Sequence, residues 1–195
     1  MKTTFAIPML VLTAMAAVAC GRGSAVSQPV KAAEARHGDP ERGAYLVKIM
    51  GCHDCHTPLK MGPKGPEPDF DRALSGHPES VGPLTPKQLD GPWTAAVTGT
   101  MTAWTGPWGV SYTANLTPDQ NTGLGIWTED MFVKAIRTGK HMGTSRDILP
   151  PMPWSMYRHA TDDDLASVFA YLRTIKPITN HVPDPTPPSG PSTTN

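Results

Sequence analysis

Cys52, Cys55 and His56 stand together in the stretch Gly51-Cys52-His53-Asp54-Cys55-His56, where this 195-residue chain concentrates its capacity for covalent and metal chemistry. Two thiols at that spacing can clasp a zinc ion, shuttle a disulfide, or be consumed in anchoring a haem. A structural zinc site wants four ligands, commonly a second Cys pair or a His pair a dozen or more residues on. The remaining cysteine is Cys20, and no paired histidines follow the motif. A disulfide-exchange centre of the thioredoxin type ends a strand and opens a helix, whereas here a helical pattern precedes the pair. Haem attachment accounts for the whole stretch: Cys52 and Cys55 form thioethers with two vinyl groups of one porphyrin, and His56 lies under the iron as proximal ligand. His53 and Asp54 are then spacers facing solvent in a tight loop.

The other face of such an iron is closed by Met or by a second His in an electron carrier. The later candidates are Met61, Met101, Met131, Met142, Met152 and Met156, with His77, His141, His159 and His181. Met152 lies in Leu149-Pro150-Pro151-Met152-Pro153-Trp154. Prolines on both sides hold the backbone extended and keep it out of a helix, so a weak thioether ligand is presented at little entropic cost. Met152 is the expected distal ligand, with Met142, Met156 and His77 as rivals.

These residues need elements to position them. Asp39-Pro40-Glu41 reads as a helix start, with an N-cap carboxylate and a proline in the first turn, and Tyr45, Leu46, Ile49 and Met50 form its apolar stripe. From 57 to 92 prolines recur and leave room for a structured loop only. The Thr-rich run from Val97 to Thr102 suggests a short strand or hairpin. A second helix is expected over 129–138, capped by Thr128 and stopped by Gly139, with Phe132, Ala135 and Ile136 on one face. A third begins at Thr161 with Asp162, Asp163 and Asp164 at its positive end. Leu165, Val168, Phe169 and Leu172 share its buried face, and Pro177 ends it. The expected class is therefore all-α, with few helices, long Pro/Gly-rich loops and a short β-hairpin in the insertion.

Lys and Arg number 17 and Asp and Glu 17, dispersed along the chain, so the basic footprint of a nucleic-acid binder is missing. Hydrophobic residues make up 38%, and a large apolar cofactor at the centre would offset so thin a core. Residues 1–19 follow a secretory pattern: Lys2, an apolar run from Phe5 to Val18, and Ala17-Val18-Ala19 as cleavage site. Cys20 directly after that site resembles the lipidated cysteine of a bacterial lipoprotein. An incidental cysteine behind an ordinary cleaved leader remains the alternative. The expected organisation is leader 1–19, linker 20–37, domain 38–182 and a disordered Pro/Ser/Thr tail 183–195. Such a chain is exported to the periplasm or beyond, free or anchored through Cys20.

Arg42-Gly43-x-Tyr45-Leu46, the Cys-His-Asp-Cys-His stretch, the Pro-Met-Pro loop and a last helix ending in Tyr171-Leu172 together resemble the class I cytochromes c. The resemblance covers about 39–183. It implies a cytochrome c fold with one covalently attached haem c. It also matches Cys52 and Cys55 to the thioether positions, His56 to the proximal and Met152 to the distal ligand, and Gly43 and Tyr171 to the crossing of first and last helices. Within the long insertion, Ala114-Asn115-Leu116-Thr117-Pro118-Asp119 and Thr122-Gly123-Leu124-Gly125-x-Trp127 resemble loops of cytochrome subunits of periplasmic alcohol and aldehyde dehydrogenases. Those subunits usually carry several haems; this chain has one Cys-x-x-Cys-His.

In the insertion Trp93, Trp104, Trp108 and Trp127 are candidates for the haem edge, though packing is the commoner use of such rings. Arg137 is a candidate partner for a propionate or else a surface cation. Asp119-x-Asn121-x-Gly123 opens like a calcium loop but has Asp130 where the closing Glu belongs, so a simple turn is expected. The function implied is one-electron transfer to redox partner proteins, whether dehydrogenase, oxidase or another cytochrome, and not catalysis. The alternative is a haem enzyme or sensor with an open sixth site.

Overall fold

The computed structural model describes residues 38–188, which fall within one compact unit, Ala35–Asn195. The expected leader, the linker with Cys20, and the tail from 189 lie outside the described residues.

Helix α1 (Pro40–Ile49) starts as its sequence dictates, with the Asp39 carboxylate accepting from the Glu41 amide and Pro40 in the first turn. Its buried face is Gly43, Leu46 and Val47, while Tyr45 and Ile49, expected inside, lie on the outer face. The face turns because the helix is set by Gly43, which hydropathy patterning overlooks. A Cβ on Gly43 would stand 1.9 Å from the Ser167 carbonyl oxygen and 2.7 Å from Tyr171 Cβ, so the bare backbone is what lets α1 cross α5 (Asp162–Leu172). Asp39 N–H donates to Ser167 Oγ, and Arg42 pairs with Asp164 at 2.6 Å, fastening the same crossing.

Helix α5 is capped by Thr161, whose hydroxyl accepts from the Asp164 amide, and buries Leu165, Val168, Phe169 and Leu172 as its spacing predicts. It ends at Leu172, earlier than Pro177 alone would require. Helix α3 (Glu129–Thr138) has the expected Thr128 cap, buries Phe132, Ala135 and Ile136, and stops at Gly139. Phe132 meets Phe169 with ring centroids 5.4 Å apart, which joins α3 to α5. Two short helices complete the set, α2 (Cys52–His56) and α4 (Trp154–Tyr157).

The expected all-α class is corrected. Among the described residues, five α-helices share the chain with five strands in two small antiparallel sheets, a mixed α/β structure. Strand β1 (Leu59–Gly62) pairs with β2 (Gly65–Pro68), inside the region expected to be loop. Pro66 and Pro68 do not prevent this, because a two-stranded sheet has only edges, where a missing amide donor can face away from the ladder. The second sheet runs β3 (Ala96–Val97), β4 (Ala103–Gly106) and β5 (Gly109–Tyr112) in that order. The hairpin expected near 97–102 exists, but the Thr-rich run is mostly its turn rather than its strand.

The threonines of that turn form a directed chain. His77 Nε2–H donates to the Gly82 carbonyl, so Nδ1 accepts from Thr102, Thr102 from Thr100, and Thr100 from Thr98. Beyond residue 183 the described backbone is still paired. Composition predicts a disordered tail from 183, yet Thr186 exchanges backbone hydrogen bonds with Val110 of β5 at 2.8 and 2.9 Å. Gly109, at φ +92°, makes room for it: a Cβ there would lie 2.0 Å from the Thr186 carbonyl oxygen.

Candidate functional site

Helix α1 delivers the chain through Met50 and Gly51 into α2, whose single turn carries Cys52, Cys55 and His56. Cys52 and Cys55 are both unpaired thiols, partly buried. Burial pushes the Cys52 thiol up to about 11 and raises Cys55 as well. Thiol–disulfide exchange depends on a stabilised thiolate, so these environments are wrong for that chemistry. Zinc fares no better, since among the described residues no three His, Cys, Asp or Glu side chains converge as metal ligands do.

His56 is buried, and its Nδ1–H donates to the Ala114 carbonyl at 2.8 Å. That bond fixes the tautomer and leaves Nε2 as the lone-pair donor, the arrangement in which an imidazole binds a metal. Burial lowers its pKa, which keeps the ring neutral. The Ala114 carbonyl is itself held in a stapled loop: Asn115 Oδ1 accepts from the Thr117 amide and hydroxyl, while Asn115 Nδ2 donates to the Ile178 carbonyl and to Thr122 Oγ1. The local sequence around the motif carries no sign of Ala114, since its contribution is a backbone atom.

His53 is less free than a spacer facing solvent. Thr57 Oγ1 accepts from the Leu74 amide and is 2.9 Å from His53 Nδ1, and the His53 ring meets Phe70 edge-on at 5.9 Å.

Met152 is half-buried and packs, as Cys52 does, against one apolar cluster that includes Leu46, Leu74, Phe132, Leu165 and Phe169. The segment after it returns to the cysteine stretch, where Tyr157 Oη donates to the Met50 carbonyl. Burial raises the Tyr157 phenol, and Cys52, Cys55 and Asp54 raise it further. The rivals fit less well. Met156 is exposed, Met142 is half-buried but not among the residues packed on that cluster, and both ring nitrogens of His77 are occupied, by Thr102 and by the Gly82 carbonyl.

Two thiols on one turn, an imidazole with its Nδ1 tied to a carbonyl, a thioether and an apolar lining make up the donor set a c-type haem takes. The other candidates resolve differently. Trp127 packs on the apolar cluster, while Trp93 is exposed. Arg137 pairs with Asp162 at 2.5 Å and donates to the Arg158 carbonyl. Asp119 Oδ1 accepts from the Asn121 and Thr122 amides and the Thr122 hydroxyl, and Oδ2 from Thr179, which makes the expected turn.

No family model matches the sequence. The chain is 28% identical over 147 residues, 74% of its length, to the cytochrome c subunit of the quinone alcohol dehydrogenase of Gluconobacter oxydans, covering 23% of that protein. Over 170 residues, 85% of its length, it is 29% identical to the fructose dehydrogenase cytochrome subunit of Gluconobacter japonicus, covering 28% of it. A shorter match, 39% identical over 67 residues and 34% of the chain, is to the gluconate 2-dehydrogenase cytochrome c subunit of Pantoea cypripedii, of which it covers 15%. The chain thus spans less than a third of each relative. Along most of its own length it is similar to cytochrome subunits of dehydrogenases, a likeness that supports a cytochrome c-like chain for electron transfer.

Proposed function

We propose that this chain is an exported carrier of one electron, with a single haem c attached through Cys52 and Cys55 and ligated by His56 and Met152. When bound, the haem would supply an iron that alternates between ferric and ferrous states, with His56 and Met152 as the residues that would hold it. The chain's own residues do the rest. Ala114 holds His56 in the tautomer that offers Nε2, and the apolar cluster on which Cys52 and Met152 pack would shield a bound haem from water. The observation that carries this reading is that Cys52 and Met152, far apart in sequence, pack on one apolar cluster beside the single-turn helix bearing His56.

The relatives are subunits of dehydrogenases, which supports a dehydrogenase as electron donor to this chain. The leader over 1–19 supports delivery to the periplasm, and a lipid on Cys20 would hold the carrier at the membrane. Mass spectrometry of the mature protein tests the covalent claims: one haem mass is expected on the chain, and a diacylglyceryl mass on Cys20 if it is anchored. The ferric visible spectrum tests the ligation. Wild type is expected to show the weak sulfur-to-iron band at the red edge and to resist cyanide. Met152→Ala is expected to lose the band and bind cyanide at once. A wild type that lacks the band and takes cyanide readily would overturn the carrier reading in favour of an open sixth site.

A further inference from the structure

The segment Leu149-Pro150-Pro151-Met152-Pro153 holds three prolines, so only Leu149 and Met152 carry amide donors. Met152 N–H spends its bond inside the segment, donating to the Leu149 carbonyl at 3.3 Å. Among the described residues, the hydrogen bond that ties Pro150 through Met152 to another part of the protein comes from β5. Ser111 Oγ–H donates to the Pro150 carbonyl at 2.5 Å.

That hydroxyl is aimed. It has one proton, and the competing acceptor, the Trp104 carbonyl, lies at 3.5 Å. Trp108 Nε1–H donates to Ser111 Oγ at 3.2 Å and occupies a lone pair, leaving the proton for Pro150. Ser111 is buried, so water competes poorly for it. The Trp108 ring reaches this position by lying over Gly106, where a Cβ would stand 2.5 Å from it. The hairpin β4–β5 thus presents a preset donor to a loop almost devoid of its own.

We propose that Ser111, oriented by Trp108, is a positioning residue for Met152, so that the insertion sheet sets how readily the thioether gives way as an iron ligand. This rests on the reading of Met152 as distal ligand. A thioether is a weak ligand, and its retention depends on how little freedom its loop gains on release. Cutting this hydrogen bond raises that freedom without touching the sulfur.

The test uses the haem-loaded ferric protein and follows the sulfur-to-iron band while cyanide displaces the ligand. Ser111→Ala is expected to keep the band but lose it to cyanide about tenfold faster, the scale of one hydrogen bond. Ser111→Thr, which retains the hydroxyl, should stay close to the wild-type rate. Trp108→Phe keeps an aromatic ring and removes the indole donor, and should accelerate displacement by about threefold. If Ser111→Ala fails to take up haem, the Trp108→Phe rate decides between the outcomes. A wild type with the band whose variants react within twofold of it overturns this proposal alone. Variants that merely lower the urea midpoint, with unchanged cyanide rates, overturn it in the same way. A wild type with no band removes Met152 as ligand, and this proposal with it.

Discussion

Asn115 shows how much a site can depend on a residue that never touches the reacting group. It is 3% exposed, and its side chain joins the Ala114–Thr117 loop to the Ile178 carbonyl, so the carbonyl that orients His56 is only as steady as this amide. Asn115→Ala strands the Thr117 amide, while the Thr117 hydroxyl stays within reach of the Ile178 carbonyl, and should lower unfolding free energy by about 2 kcal/mol in urea titrations. In the haem-loaded variant the proximal bond should soften as well, seen as a lower iron–imidazole stretching frequency in the ferrous, cyanide-free state after Met152→Ala has opened the other face. At this scale the sequence makes plain what is local: Cys52, Cys55 and His56 stand within one turn, and prolines flank Met152. Ala114 and Ser111 were not legible, because one contributes a backbone oxygen and both act on residues that only the tertiary fold brings near.

Helix α1 and helix α5 meet through Gly43, and the tightness of that meeting makes a sharp test. Gly43→Ala would drive a methyl into the Ser167 carbonyl, a backbone atom that cannot swing aside, so destabilisation of about 3 kcal/mol is expected. Thr161→Ala, which removes the α5 cap, should cost about 1 kcal/mol in the same titration and leave the helix crossing intact. Caps and 3.6-residue periodicity made α3 and α5 readable to the residue at their starts, since each signal lies within one or two turns of chain. The sheet of β1 and β2 escaped, and the second was legible only as a hairpin without its strand limits, for the opposite reason. Strands of two to four residues are too short to establish an alternating pattern, and β2 reads Gly-Pro-Glu-Pro. In α1 the pattern misled, because Gly43 contributes no hydropathy yet dictates which side faces inward.

Across the whole molecule, buried neutral histidines set an acid limit. His77 is fully buried, and burial lowers its pKa against the opposing pull of its bond to the Gly82 carbonyl. The unfolded chain then binds more protons between the folded value and about 6.5, so stability is full above 6.5 and declines as pH falls through it. His141, lowered mainly by burial, acts with the same sign. A second decline should begin as pH drops through about 3.8, where the unfolded chain takes up a proton at Asp69 that the folded carboxylate, held low first by its hydrogen bond from Arg72, still refuses. Urea midpoints measured from pH 7.5 down to 5 should fall for the wild type and fall less for His77→Gln, which starts about 2 kcal/mol lower because the threonine chain loses its terminus.

Thr186 has a role that extends beyond this chain. By pairing with Val110 it occupies the outer rim of β5, the strand that would otherwise offer unsatisfied amides and carbonyls to whatever polypeptide came near. A protein ending at residue 182 would bare that rim, and light scattering should then report self-association that the full chain resists. Thr186 and its neighbours thus guard solubility: they are a built-in stopper against one molecule adding itself to the next.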